Sequence, residues 1–406
     1  MKKRSMLSIA VALCLLPVCL ALGRQEAGLS DIVAGNNAFA FDLYAQLKSA
    51  EGNIFFSPYS ISTALAITYA GARGITEKQM MMVLHFGKNE KALHEGFGKL
   101  QAGINEMQKQ GDVKLSVANS LWMQKDYKFL PEFLEMTGKN YEAEFNYADY
   151  KNETEKARVE INTWVENRTN DKIKELIRPG VLDASTRMVL ANAIYFKGAW
   201  ATKFDTAKTK EMPFWVSARD SVKAKMMNAG GKEFGYGENQ SVQILDMPYA
   251  GRELSMIVIL PRTKAGLGDF EKEIRAVLFD SLCAGMRQEK VVVYLPKFTT
   301  TRECVLKKVL QKMGITDAFD DVSADFSGMS GNKDLKISEV IHKAFVDVNE
   351  EGTEAAAATA VVVGLRGLPA YHKPLIFRAD HPFLFLIRDN ATGSILFMGR
   401  MVNPAR

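Results

Sequence analysis

The chain has little cysteine and no recognisable catalytic spacing. Only Cys14, Cys19, Cys283 and Cys304 occur in 406 residues, and the first two sit in an apolar N-terminal stretch. A disulfide framework is thereby excluded as the basis of the fold. Cys283 and Cys304 could pair or remain as two buried thiols, since both lie in patterns that read as helical. The five histidines (His85, His94, His342, His372, His381) show no metal-ligand spacing. No His-Glu-x-x-His, Cys-x-x-Cys, Walker or dinucleotide motif is present. Ser327-Gly328-Met329-Ser330-Gly331 misses a nucleophile elbow by one spacing and reads as a turn. An enzyme, a metal centre and a bound cofactor therefore have no motif to rest on. Linkers, repeats and low-complexity tracts are missing as well. Length alone would allow two or three domains, but nothing divides the chain.

Beyond the N-terminus there is no long apolar run. Lys2-Lys3-Arg4 precedes the almost wholly apolar Leu7 to Leu22, and Ala21-Leu22-Gly23 offers small residues for cleavage. Residues 1–23 thus read as a secretory signal peptide, too short for a spanning helix. Val18 before Cys19 argues against a lipoprotein site. A secreted, extracellular protein is expected, with residues 24–406 as the mature domain. The formal net charge of +5 falls to about +2 without the leader. A near-neutral protein gives no electrostatic case for nucleic acid or a membrane as partner. Asn152, Asn167, Asn239 and Asn390 head glycosylation sequons, which matter only in a eukaryotic secretory route.

What is present is a mixture of helical and extended patterning. Ser30-Asp31 reads as the cap of a helix carrying Ile32, Phe39, Leu43 and Leu47 on one face. Ser57-Pro58 starts another, ended by Gly71 and Gly74. Thr76 and Gln79 have the spacing of a capping box for a helix to Phe86. Leu93, Phe97, Leu100, Ile104 and Met107 form one apolar stripe. A further helix is expected from about Thr154 to Thr169. Strands are expected around Leu115–Met123, Met188–Phe196, Leu254–Leu260, Val291–Leu295 and His342–Val348. Phe383–Ile387 and Ile395–Arg400 flank a turn and read as a hairpin. Without βαβ regularity the class is α+β.

The most informative stretch is Glu350-Glu351-Gly352-Thr353-Glu354-Ala355-Ala356-Ala357-Ala358-Thr359, which leads into Ala360-Val361-Val362-Val363-Gly364-Leu365-Arg366-Gly367-Leu368-Pro369. Alanine favours helix, yet the flanking glycines, valines and proline do not. Such a segment suits an exposed loop, and equally a strand small enough to enter a crowded sheet. It resembles the hinge of the serpins, a family of serine-protease inhibitors. Phe377-Arg378-Ala379-Asp380-His381-Pro382-Phe383-Leu384-Phe385-Leu386-Ile387 matches a second signature of that family. Asn53 to Pro58, Asn192 to Trp200, and Ile395 to Arg400 through Asn403-Pro404 are also similar to it. The resemblance runs from about Ile32 to the last residue.

It implies a single domain with a large central, mostly antiparallel sheet, further sheets, about nine helices, and an exposed reactive-centre loop at about residues 350–374. It further implies a monomer that traps a protease as a suicide substrate, its cleaved loop entering the sheet as a new strand. The hinge chemistry permits this. Thr353, Ala355, Ala357, Thr359, Val361, Val363 and Leu365 share one face of a strand, and Glu354, the only charge among the hinge residues after Glu351, lies on the other. Many non-inhibitory relatives carry a bulky or charged hinge, and this chain does not. In inhibitory serpins the reactive bond usually follows the fourteenth residue counted from the hinge position that Thr353 matches, so the resemblance implies Arg366–Gly367 as the reactive bond of a trypsin-like target. Leu365 is the alternative, for a chymotrypsin- or elastase-like enzyme. A non-inhibitory carrier or chaperone of the same fold is the other alternative.

By the same resemblance Ser57, Ser60, Asn192 and His342 correspond to the shutter where central strands part, and Trp200, Lys297 and Glu350 to the top of the sheet. Asn192 and His342 fall on strand-like runs, where a buried pair must hydrogen-bond. Lys297 and Glu350 are expected as an exposed ion pair of little energetic weight. For a polyanion such as heparin the case is weak. Lys91, Lys99 and Lys109 are mixed with Glu90, Glu95 and Glu106, and Lys307-Lys308 with Lys312 is a short cluster.

Overall fold

The computed structural model describes residues 12–109, 113–353 and 375–405, with side-chain surroundings from Gly28 onward. The reactive bond and the loop from Glu354 to Pro374 lie outside the described residues.

Ten α-helices are described: α1 (Ala12–Leu47), α2 (Pro58–Tyr69), α3 (Gly74–Val83), α4 (Glu90–Lys109), α5 (Pro131–Tyr141), α6 (Tyr150–Arg168), α7 (Leu267–Glu273), α8 (Ala276–Ala284), α9 (Lys307–Met313) and α10 (Ser327–Ser330). The first eight strands are β1 (Ile54–Phe56), β2 (Val113–Gln124), β3 (Glu144–Ala148), β4 (Met188–Ala199), β5 (Lys210–Trp215), β6 (Ser221–Asn228), β7 (Lys232–Glu238) and β8 (Val242–Pro248). The rest are β9 (Leu254–Pro261), β10 (Arg287–Pro296), β11 (Phe298–Val305), β12 (Glu339–Val348), β13 (Gly352–Thr353), β14 (Leu375–Arg378), β15 (Phe383–Asp389) and β16 (Ile395–Met401).

They form two sheets. A ten-stranded sheet runs β1-β16-β15-β9-β8-β7-β10-β6-β5, with β14 beside β10. A six-stranded sheet runs β11-β12-β13-β4-β2-β3. The main core lies between sheets and helices, and includes Phe55, Phe196, Phe385 and Phe397. A second, smaller core lies under α6, where Ile161 and Val165 meet Trp122, Val189, Ala191 and Ile341. The six-stranded sheet is therefore covered on both faces, which is why nearly every β4 side chain is buried. Near-continuous apolar runs are what two covered faces demand.

Several local expectations are corrected by tertiary contacts. Ser30-Asp31 does not cap a helix, because α1 passes straight through it, although Ile32, Phe39 and Leu43 are buried as expected. Thr76 is inside α3, not at its cap. Its hydroxyl accepts from Asp325 N at 3.0 Å, and Gln79 Oε1 accepts from the backbone of Thr316 and Asp317. α6 is kinked at Glu153, so its regular part begins near Thr154 as expected, after a first turn from Tyr150 that Asp149 caps by accepting from Asn152 N. Cys304 lies on β11, not on a helix. Cys283 and Cys304 are free, and burial pushes each thiol up to about 11. Ser327–Ser330 is a short helix whose Met329 is in the core.

Candidate functional site: a sheet parted at its top

β12 and β4 pair in parallel from Glu339↔Val189 to Phe345↔Tyr195. Above that point the described pairing between them stops and β13 enters. Thr353 pairs antiparallel with Val348 of β12 on one side and with Gly198 of β4 on the other. The chain turns back from β12 through Glu350-Glu351, closed by Asn349 N to Gly352 O at 2.9 Å and Gly352 N to Asn349 O at 3.3 Å. The hinge thus begins inside the sheet. It is an inserted strand two residues long.

The fit there is close. A Cβ on Gly352 would stand 2.1 Å from Gly198 O, so no other residue fits without moving β4. Thr353 is fully buried, and its hydroxyl shares a 2.9 Å hydrogen bond with Tyr249 Oη. Tyr249 stacks on Trp200 with centroids 4.6 Å apart. Trp200 donates from Nε1 to Asn349 O at 2.9 Å and from its backbone to Glu351 O at 2.9 Å. The Trp200 indole thereby holds the turn that precedes β13.

Glu350 corrects one expectation. It is buried rather than exposed, and it accepts from Lys297 Nζ at 2.7 Å and from Thr209 Oγ1 at 2.8 Å. Burial opposes its ionisation, yet the hydrogen bonds, led by Lys297, outweigh it and hold the carboxyl below its usual range. Lys203 meets Glu351 at 2.6 Å. Charges here fasten the turn to its surroundings and keep the first residue of β13 in register.

Lower down, Ser57, Ser60, Asn192 and His342 come together across three elements. Ser57 caps α2 by accepting from Ser60 N at 3.1 Å and donates to Leu396 O at 2.6 Å. Ser57 N donates to His342 Nε2 at 3.0 Å. The ring proton therefore sits on Nδ1, which donates to Asn192 Oδ1. Asn192 Nδ2 in turn reaches Ser60 O at 2.9 Å, Ser60 Oγ at 2.7 Å, and Asn119 Oδ1. Asn119, Asn192 and His342 are cross-strand neighbours on β2, β4 and β12. The network is complete with a neutral imidazole and has no place for a second ring proton.

Burial accordingly pushes the His342 pKa down to about 3. The unfolded chain binds that proton near pH ~6.5, so the sign is fixed: unfolding takes up a proton below that pH. Stability is fully present above ~6.5 and declines by up to ~1.4 kcal/mol per pH unit as pH falls toward 3. In denaturant titrations between pH 6 and 4, His342→Asn should show a shallower slope by about one proton. Equal slopes for the two proteins would show that His342 is not held neutral.

Of the residues singled out in the sequence, Ser57, Ser60, Asn192 and His342 meet in one network, and Trp200, Lys297 and Glu350 lie at the turn before β13. Sequence reasoning passed over Tyr249, Thr209 and Asn349, and took Asn119 only as one member of a strand. A polar side chain in the inward phase of β2 was the available signal for Asn119. Two of the three α4 lysines are engaged as expected of a solvated face, with Lys91–Glu95 at 4.0 Å and Lys109–Glu106 at 2.6 Å. In the short cluster Lys307 is committed to Ser338 O at 3.0 Å. All four sequon asparagines are exposed, though the Asn390 amide already donates to Arg252 O and Ser255 Oγ.

Comparison with known proteins agrees with this geometry. The family model "Serpin (serine protease inhibitor)" matches residues 34–404. Leukocyte elastase inhibitor of Xenopus tropicalis is 44% identical over 373 residues, covering 90% of this chain and 97% of that protein. Among solved structures, uncleaved ovalbumin superposes with a TM-score of 0.84 at 35% identity, covering 92% of this chain and 100% of that one. Human thyroxine-binding globulin does so with a TM-score of 0.83 at 31% identity, covering 93% and 99%. The chain belongs to the serpins, a family of serine-protease inhibitors. Its α+β fold, with the large sheets and the single domain, is the serpin fold.

Proposed function

We propose that this chain is a secreted, monomeric suicide-substrate inhibitor of trypsin-like serine proteases, with Arg366–Gly367 as its reactive bond. The observation that carries the proposal is Thr353, seated between two strands that are zipped below it and parted around it. The protease serine attacks the Arg366 carbonyl carbon, and the bond to the Gly367 nitrogen breaks. The serine's proton passes through the protease histidine to that departing amine, leaving an ester to Arg366. Freed at that end, the loop can follow Thr353 into the sheet and draw the acylated protease with it.

The register of β13 gives the path. A strand continuing antiparallel from Thr353↔Val348 and Thr353↔Gly198 brings Ala355 beside Val346 and Phe196, and Ala357 beside Ala344 and Ile194. Thr359 arrives between His342 and Asn192. Every one of these belongs to the small, uncharged phase, with Glu354 on the other face. The parallel β12–β4 pairs give way to two antiparallel ladders over about ten residues, each new bond adding on the order of 1 kcal/mol.

Arg366 is the only basic residue between Glu350 and Tyr371, and a guanidinium can pair bidentately with a carboxylate at the base of a specificity pocket. Arg366→Ala should lower trypsin inhibition by at least ~100-fold, a loss on the order of a charge-assisted pair left unmade. The name of the Xenopus relative favours a second reading, in which Leu365 is acylated by an elastase- or chymotrypsin-like enzyme. Rate measurements on Arg366→Ala against trypsin, chymotrypsin and elastase decide between them. Undiminished trypsin inhibition would refute the Arg366 assignment, and retained elastase inhibition alongside lost trypsin inhibition would show that both bonds serve. Secretion is tested by N-terminal sequencing of protein recovered outside the cell, which should begin near Arg24.

A further inference from the structure

Glu90 and His94 lie one turn apart at the start of α4 and face α5 across a cavity of about 430 Å³. His94 is 3% exposed. Its Nδ1 is 2.5 Å from the Tyr141 hydroxyl, while Nε2 has no hydrogen-bond partner and stands 3.6 Å from Glu90 Oε1. Around the same cavity are the carboxylates of Glu95, Glu132 and Glu135 and the ammonium groups of Lys91 and Lys139. Four carboxylates against two ammonium groups leave an excess of two negative charges. The N-terminal end of α4 offsets only about half of one. An orphaned, buried imidazole nitrogen at the edge of an anionic cavity requires a partner.

We propose that this cavity binds a divalent transition-metal ion of the zinc type, held by His94 Nε2 and the Glu90 carboxylate. Two ligands at ~2.1 Å from a tetrahedral zinc stand ~3.4 Å apart, close to the 3.6 Å between these two atoms. Residues at i and i+4 share one helix face, so the pair is preset by α4 itself. Tyr141 supplies the support such a ligand needs. Its phenol oxygen, in hydrogen-bond contact with Nδ1, can accept from Nδ1–H, which leaves the lone pair on Nε2.

Among the described residues no three acidic, histidine or cysteine groups already converge as a metal set. The third position falls to water or to Glu132 or Glu135, which must turn inward at a rotamer cost of ~1 kcal/mol. Imidazole selects zinc, cobalt or nickel over magnesium and calcium.

Calorimetric titration of the full chain with zinc tests the site. One equivalent should bind with micromolar affinity, unchanged by excess magnesium. Glu90→Gln alters a partly exposed side chain and should fold normally, and it should weaken binding by at least ~tenfold, as should His94→Gln. Glu106→Gln, near the far end of α4, should bind as the parent does. Absence of zinc binding up to millimolar concentration would overturn the proposal, the gap between Nε2 and Glu90 then being bridged by water. Equal binding by the parent and both site variants would overturn it too, placing the ion elsewhere.

Discussion

Thr353→Arg should turn the inhibitor into a plain substrate, with covalent complex falling to near zero while cleavage of the loop continues. Thr353 occupies a sealed position, with β12 and β4 on either side and the Tyr249 hydroxyl 2.9 Å from its own. No acidic group is among its hydrogen-bond partners there. Burying an unpaired guanidinium costs several kcal/mol even after relaxation, on the order of ~5. The arginine will stay outside, and β13 with it. Insertion is then blocked at its first residue, and the ester hydrolyses before the protease is displaced. Thr353→Ala is the control. It loses one neutral hydrogen bond, about 1 kcal/mol, and should inhibit nearly as well as the parent. Undiminished complex with Thr353→Arg would show that the hinge does not enter the sheet here.

Cleavage of the loop should raise the apparent melting temperature by at least ~10 °C. The uncut sheet has a two-residue strand where about ten residues can be accommodated, and β12 and β4 meanwhile make a parallel pairing, which is the weaker kind. A net gain of one full ladder is worth on the order of 10 kcal/mol, and for a domain of this size each kcal/mol moves the midpoint by about 1 °C or more. Thermal melts before and after nicking by a non-target protease are sufficient. Coincident melts would favour the non-inhibitory carrier of the same fold, since a sheet that gains nothing on cleavage has no driving force for trapping.

How much of this was legible in the sequence depends on the range of the contacts involved. Hinge chemistry is local, so Gly352 and Thr353, which the structure seats between β12 and β4, could be read from their small size. Paired strands such as Phe383–Ile387 and Ile395–Arg400 are close in the chain and were equally plain. Asn119, by contrast, matters because it stands opposite Asn192 and, through it, His342, and registers between such distant segments are not written in any one of them. Tyr249 reaches Thr353 from 104 residues away. Glu350 looked like a surface charge because glutamate usually is one; Lys297 and Thr209 make its burial tolerable. Thr76 and Gln79 had the right spacing for a cap and were taken instead by Asp325, Thr316 and Asp317. Local signals lost wherever a distant backbone group offered a better partner.

Acylation at Arg366 followed by insertion from Thr353 is the proposed route to a trapped protease. Incubation of the intact chain with trypsin, followed by denaturing electrophoresis and sequencing of the released peptide, tests it most directly. A complex that survives detergent and a peptide beginning Gly367-Leu368 are expected. Complete cleavage without such a complex, or a complex whose released peptide begins anywhere else, would contradict it.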